Sequence, residues 1–213
     1  MATLVHGTVG LQHATMAVYN AWCDRVPLLI IAGNTLDAVM RRPGVEWSHS
    51  VQDAAVVVRD YVKWDDQPLS LQHFSDSFAR AWKIATTPPM GPVLIAADSE
   101  LQERTCEGAP KVQPISRTSP PMGEIGAVPE AAKLLAAAKH PVIIVDRAAR
   151  TPEGVTRLVR FAELLGAPVI DKFGRMNMPS RHELNQTDRA QSSSAAAPSG
   201  LRALRIECQS RYT

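Results

Sequence analysis

The stretch "LVHGTVGLQHATMAVYNAWCDRVPLLIIAGN" (residues 4–34) decides the fold. From Leu11 onward, Leu11, Ala14, Val18, Ala21 and Trp22 recur at helical spacing. Asp24 and Arg25 break the pattern, and residues 27–32 (PLLIIA) form a short apolar run that stops at Gly33. A strand apolar on both faces suits the interior of a parallel sheet, and a helix feeding it is half of an α/β unit. Ahead of the helix, Gly7 and Gly10 punctuate a loop, with no strand legible in front of it and with Gln12 and His13 in the helix's first turn. Glycines let a backbone approach a ligand closely, and a helix N-terminus favours anions and electron-rich groups. The same glycines also serve in a tight turn, and the spacing alone favours that plainer reading.

Working outward, the alternation continues. Residues 33–47 are a polar connection, residues 50–57 read as a short helix, and residues 60–64 as the next strand. Ser70 suits an N-cap for a helix presenting Leu71, Phe74, Phe78, Ala81, Trp82 and Ala85 on one face. "TTPPMGPV" ends that helix, and residues 93–97 form another apolar strand. Residues 103–124, rich in proline and without periodicity, read as a linker. A second α/β unit follows: a helix over 129–139, a strand over 141–145, and a helix opened by Thr151-Pro152-Glu153 and closed by Gly166. A strand beginning at Pro168 completes a βαβ crossover. The fold class is therefore α/β: mostly parallel sheets flanked by helices, in two partial Rossmann-like domains. Residues 188–213, with a Ser/Ala block, read as a disordered tail.

Composition excludes several classes of function. The 213 residues carry a formal net charge of +2 with scattered basic residues, which predicts neither nucleic-acid nor membrane-surface binding. Cys23, Cys106 and Cys208 are far apart, so neither a disulfide framework nor a zinc site is expected, and reduced thiols fit a cytoplasmic protein. No apolar run reaches the roughly 18 residues of a membrane span, and no signal peptide is legible.

Candidate chemistry is sparse. His6 and His13 are seven apart, and no HxxxH or HExxH pattern exists, so no metal site is predicted. "WSHSVQD" (47–53) gathers His49, Gln52 and Asp53 where a sheet's carboxyl edge would face a ligand, although Ser50 and Asp53 also suit a helix start. "PVIIVDRAAR" (141–150) lacks the glycines of a dinucleotide fingerprint, and there is no P-loop, so a nucleotide-binding Rossmann protein is disfavoured. "FGRMNMPSRH" (173–182) reads as a loop with two methionines packed on the domain.

"GTVGLQHATMAVYNAWCDRVPLLIIAGN" (7–34), "HSVQD" (49–53) and "GPVLIAAD" (91–98) together resemble the pyrimidine-binding domain of thiamine-diphosphate-dependent enzymes of the acetolactate synthase and benzoylformate decarboxylase type. Residues 131–185 resemble the start of their central domain. The resemblance implies a partial pyrimidine-binding domain over 1–102, the linker over 103–124, a partial central domain over 125–187 and the tail over 188–213. It implies thiamine diphosphate with Mg²⁺ as cofactor, a small 2-oxo acid as substrate and a homo-oligomer. By position it assigns Gly10, Gln12 and His13 to the cofactor side, His13 standing where many members have asparagine. It assigns Asn34, His49, Gln52 and Asp53 to the substrate side, and no catalytic residue. The family's activating glutamate belongs upstream of the matching region, and no Gly-Asp-Gly metal motif occurs in these residues. A truncated and inactive chain is the expectation, with a non-catalytic α/β module pairing with another chain as the alternative.

Overall fold

A computed structural model describes residues 1–37, 39–40, 49–108, 110–112, 114–115, 123–172 and 176–188, and the backbone of 202–206. The chain divides into two compact units, Met1–Pro120 and Pro121–Thr213. Among the described residues no helix is long and apolar enough to cross a membrane.

The first unit is a four-stranded parallel sheet in the order β1-β2-β4-β3, built from β1 (Ala2–Val5), β2 (Leu29–Asn34), β3 (Asp65–Asp66) and β4 (Val93–Asp98). Helix α1 (Gly7–Cys23) joins β1 to β2, and α2 (Leu71–Thr86) joins β3 to β4. Side chains alternate across the central strands, so one apolar run supplies two cores. Ile30, Ala32 and Leu94 pack with Leu11 and Val18 of α1. Leu29, Val93 and Ile95 pack with Ala81 and Ala85 of α2. The continuous apolar pattern of residues 27–32 follows from this burial on both faces.

Ser70 caps α2 as expected, its Oγ accepting from the backbone N–H of His73 at 3.1 Å. At the other end Lys63 Nζ donates to the carbonyls of Ile84 (2.5 Å) and Thr87 (2.8 Å), and burial lowers the pKa of that ammonium. Trp82, expected on the buried face, is exposed. All four tryptophans (Trp22, Trp47, Trp64 and Trp82) lie in the first unit, so their fluorescence follows its unfolding alone. By that readout Ser70→Ala is expected to cost about 1 kcal/mol, the usual loss for an N-cap hydroxyl.

Three expectations for this unit are corrected. A strand does precede the glycine turn: β1 pairs along its whole length with residues 29–32. Helix α1 begins at Gly7, so both glycines lie inside its first turn and Gln12 and His13 lie in its second. Residues 54–62 form two 3₁₀ turns, Ala55–Val57 and Arg59–Tyr61, in place of a helix over 50–57 and a strand over 60–64. Ala54, Ala55, Val58 and Val62 are buried at three- and four-residue spacing, which a turn satisfies and a strand does not. Pairing resumes only at β3, opposite Leu94 and Ile95.

Two helices, α3 (Ser99–Glu103) and α4 (Ala127–Ala136), follow β4 in sequence. The second unit is a three-stranded parallel sheet in the order β6-β5-β7, from β5 (Pro141–Val145), β6 (Val169–Asp171) and β7 (Arg202–Ile206). Helix α5 (Pro152–Leu165) connects β5 to β6. Thr151 Oγ1 accepts from Gly154 N at 3.1 Å, and Gly166 takes the left-handed φ of 58° that ends the helix. Leu158 and Ala162 pack against Ile143, Val145, Val169 and Met178. Of the two methionines expected to pack, Met178 does so at 1% exposed and Met176 does not at 67% exposed. The residue between them, Asn177, is the one that turns inward.

Residues 202–206, within the segment 188–213 read from sequence as a mostly disordered tail, form a strand. They pair residue for residue with 141–145, occupying the backbone edge of β5 opposite β6. The rest of that segment, apart from Asp188, lies outside the described residues.

Candidate functional site

The three long strands of the first sheet end together, and a cleft of about 740 Å³ opens at their carboxyl edge. Ligands of open α/β sheets bind at this edge, where successive loops diverge. Val5, His6 and Gly7 reach it from the end of β1, Gly33 and Asn34 from β2, and Ser99, Leu101 and Gln102 from α3. Leu4, Ile31, Leu71 and Phe74 supply apolar walls, and His49 closes one side.

The polar rim is built by backbone geometry. His6 is the extended residue from which α1 starts, so its side chain stands at the helix mouth. His49 has a left-handed φ of 50°. Its carbonyl accepts from Thr8 N (3.2 Å) and Thr8 Oγ1 (2.7 Å), which draws the segment onto the first turn of α1. The two imidazoles meet edge to face, with centroids 5.2 Å apart. Gly7 permits this approach, because a β-carbon there would lie 3.0 Å from His49 O. Ser99 Oγ is buried and has no hydrogen-bond partner among the described residues, which leaves it available to a polar ligand atom.

The structure brings Asn34 and His49 to the cleft and leaves the other sequence-nominated residues outside its lining. Gly10 packs against β1, where a β-carbon would lie 3.2 Å from the carbonyl carbon of Val5. Gln12 and His13 are exposed on α1. Gln52 and Asp53 are exposed on the loop that follows His49. Asp53 is held by a two-pronged pair with Arg59, at 2.8 Å on each carboxylate oxygen, and Arg59 also reaches Asp65 at 3.2 Å. The hydrogen bond from Arg59 holds the Asp53 carboxyl below its ordinary range and raises the guanidinium. A depressed carboxylate stabilises the fold above its ordinary pKa, and the contribution is lost as pH falls through the lowered value. Both groups are about half exposed, so the stabilisation is small and screened by salt. Arg59→Ala is expected to raise the Asp53 carboxyl toward its ordinary range, read by carboxyl-carbon NMR, with little change in stability.

Sequence reading left His6, Thr8, Ser99 and Gln102 unassigned. The missing signal was β1: with a strand at residues 2–5, His6 becomes the first residue past a strand end. Among the described residues no group of three His, Cys, Asp or Glu side chains could hold a metal ion.

Comparison with known proteins agrees with this architecture. Residues 128–199 match the family model for the central domain of thiamine pyrophosphate enzymes, a match that runs into the segment read from sequence as a tail. Benzoylformate decarboxylase of Pseudomonas aeruginosa is 25% identical over 192 residues, covering 84% of this chain and 34% of its own. The acetolactate synthase large subunit of Haemophilus influenzae is 25% identical over 170 residues, covering 78% of this chain and 29% of its own. A Mycobacterium smegmatis enzyme described as thiamin diphosphate-dependent superposes with a TM-score of 0.70 at 27% identity, over 86% of this chain and 35% of its own. A 4-hydroxybenzoylformate decarboxylase of Rhodococcus jostii shares the fold, with a TM-score of 0.68 at 24% identity over 85% of this chain and 35% of its own. The chain thus spans about a third of the length of the relatives it matches. Sequence and fold are similar to those of thiamine-diphosphate-dependent enzymes, benzoylformate decarboxylase and acetolactate synthase among them, and residues 128–199 match the central domain of that family.

Proposed function

We propose that the first unit supplies the aminopyrimidine-facing wall of a thiamine-diphosphate site, in an enzyme that decarboxylates a 2-oxo acid and transfers or releases the remaining unit. In that reading residues 1–102 are part of a pyrimidine-binding domain, 103–124 a linker and 125–187 part of a central domain, in a homo-oligomeric cytoplasmic protein. The observation that carries it is the cleft: apolar walls from Leu4, Ile31 and Phe74, with a polar rim of His6, His49 and Ser99 Oγ. A flat heteroaromatic ring with a polar edge fits such a lining. The cofactor, when bound, supplies carbanion stabilisation, and the protein's share is binding and orientation. Here that share is exclusion of water by the apolar walls and imidazole nitrogens offered at the rim.

The diphosphate and its Mg²⁺ fit this lining poorly. Apart from the two histidines, the described side chains that line it carry neither acid nor base. The described lining offers them no anchor, so weak binding is the expected result for this chain. The test is a titration of thiamine diphosphate with Mg²⁺ into the histidine-labelled chain, followed by NMR and calorimetry. Shifts at both His6 and His49 with a Kd near the millimolar range, about −4 kcal/mol, are expected. Micromolar binding would contradict the incomplete site. Silence at both imidazoles would remove the proposal.

A further inference from the structure

Asn34 closes β2 at the cleft and is only 5% exposed, yet its carboxamide is spent on backbone. Nδ2 donates to Val51 O at 2.8 Å, while Oδ1 accepts from Val51 N at 3.2 Å and Thr35 N at 3.0 Å. The exchange with Val51, one bond in each direction, is what a paired residue of an adjacent strand would make, here supplied by a side chain. Two residues earlier stands His49, in a left-handed conformation that residues with a β-carbon keep only where their surroundings impose it. Thr8 holds its carbonyl, and Asn34 holds the chain just beyond it. The segment 49–51 is thereby fixed at both ends, with the His49 ring against His6.

We propose that Asn34 is a positioning residue of this site: through Val51 it fixes the His49 backbone, and through that the contact of the two imidazoles at the rim of the cleft. The ring geometry follows from Asn34 whatever the cleft binds; only the binding readout below rests on the proposed function.

The test uses the full chain. Asn34→Ala is expected to abolish the ring-to-ring NOE between His6 and His49 while tryptophan fluorescence still reports a folded first unit. Asn34→Asp keeps the acceptor for Val51 N and loses the donation to Val51 O, so it is expected to weaken that NOE without removing it, and it serves if the alanine variant does not fold. With thiamine diphosphate and Mg²⁺ as probe, Asn34→Ala is expected to weaken binding about tenfold. His49→Ala should do the same, and the double variant should bind no worse than either alone. Independent effects would instead multiply, so this non-additivity separates positioning through His49 from general loosening. A wild-type NOE in both Asn34 variants, or a full additional loss in the double variant, overturns the proposal. If the unmodified chain does not bind the probe, the proposed function fails, and the NOE comparison still decides the role of Asn34.

Discussion

Asn177→Ala is expected to lower the stability of the second unit by about 3 kcal/mol, the largest effect of any single polar truncation among its described residues. Asn177 is 0% exposed and its carboxamide joins three chain segments at the carboxyl edge of the second sheet. Oδ1 accepts from Ala149 N at 2.8 Å, and Nδ2 donates to Asp171 Oδ1 at 2.8 Å and to the carbonyl of Asp146. Alanine keeps the bond from Asn177 N to Asp171 Oδ2 (2.9 Å) and removes the other three. Each net bond is worth about 1 kcal/mol, and buried groups left without partners push the cost toward the upper end. Of a typical 5–15 kcal/mol for a whole domain, this is a large share.

The readout must distinguish the units. Tryptophan fluorescence is blind to the second, whereas hydrogen exchange of peptides spanning β5 and β6 reports it directly. Early exchange there, with an unchanged fluorescence midpoint, is the expected pair of results. A shift below about 1 kcal/mol would mean that water replaces the carboxamide in place. Asn177→Leu distinguishes volume from hydrogen bonding: if filling space were the role, leucine would rescue, and it is expected not to.

Why was this hub illegible in "FGRMNMPSRH"? An asparagine between two methionines reads as a polar loop residue, and its partners lie 6 to 31 positions away. Sequence carries local periodicity and capping well, because those signals sit within a few residues of their cause. Ser70, Thr151 and Gly166 were legible for that reason, as were the strands at 93–97 and 141–145. Residues 2–5 were missed because a four-residue edge strand, half of it exposed, has too few apolar positions to stand out. Its recognition comes only from pairing with β2.

The candidate site followed the same division. Its place at a sheet's carboxyl edge was legible from the alternating elements, and His49 from the polar cluster it belongs to. Asn34 was nominated as substrate-facing, but its polar atoms are bound to backbone 17 residues on. His6 was weighed as a candidate but given no role, and Ser99 was passed over, because each becomes significant only through what the fold brings: His49 beside the first, and a burial without a described partner for the second. The resemblance to known enzymes nominated Asn34 and His49, which line the cleft, together with five residues that do not. It could not state which side chains of this chain turn inward.

Gly7→Val is expected to remove that inward arrangement and to cost the first unit about 3 kcal/mol. Gly7 is buried in the first turn of α1, facing two carbonyls: a β-carbon would stand 3.0 Å from His49 O and 3.5 Å from Gly33 O. Alanine at this position sets two terms against each other. It improves helix propensity by up to about 1 kcal/mol, and it must push His49 O away by a few tenths of an ångström. That carbonyl is held by Thr8 through two hydrogen bonds worth about 1 kcal/mol each, so the alanine variant is expected to be near neutral in stability. Valine reverses the balance. Its branched β-carbon loses the propensity gain, and its γ-carbons force the segment off Thr8, adding an overpacking cost of about 1–3 kcal/mol to the two lost bonds. The tryptophan-monitored unfolding midpoint gives the stability, and the His6–His49 NOE gives the geometry. Loss of the NOE in valine with partial retention in alanine fits a rim held by close backbone approach. A valine variant as stable as the unmodified chain, with its imidazoles still in contact, would mean that Gly7 is a helix residue like any other and that the rim is held by Asn34 and His49 alone.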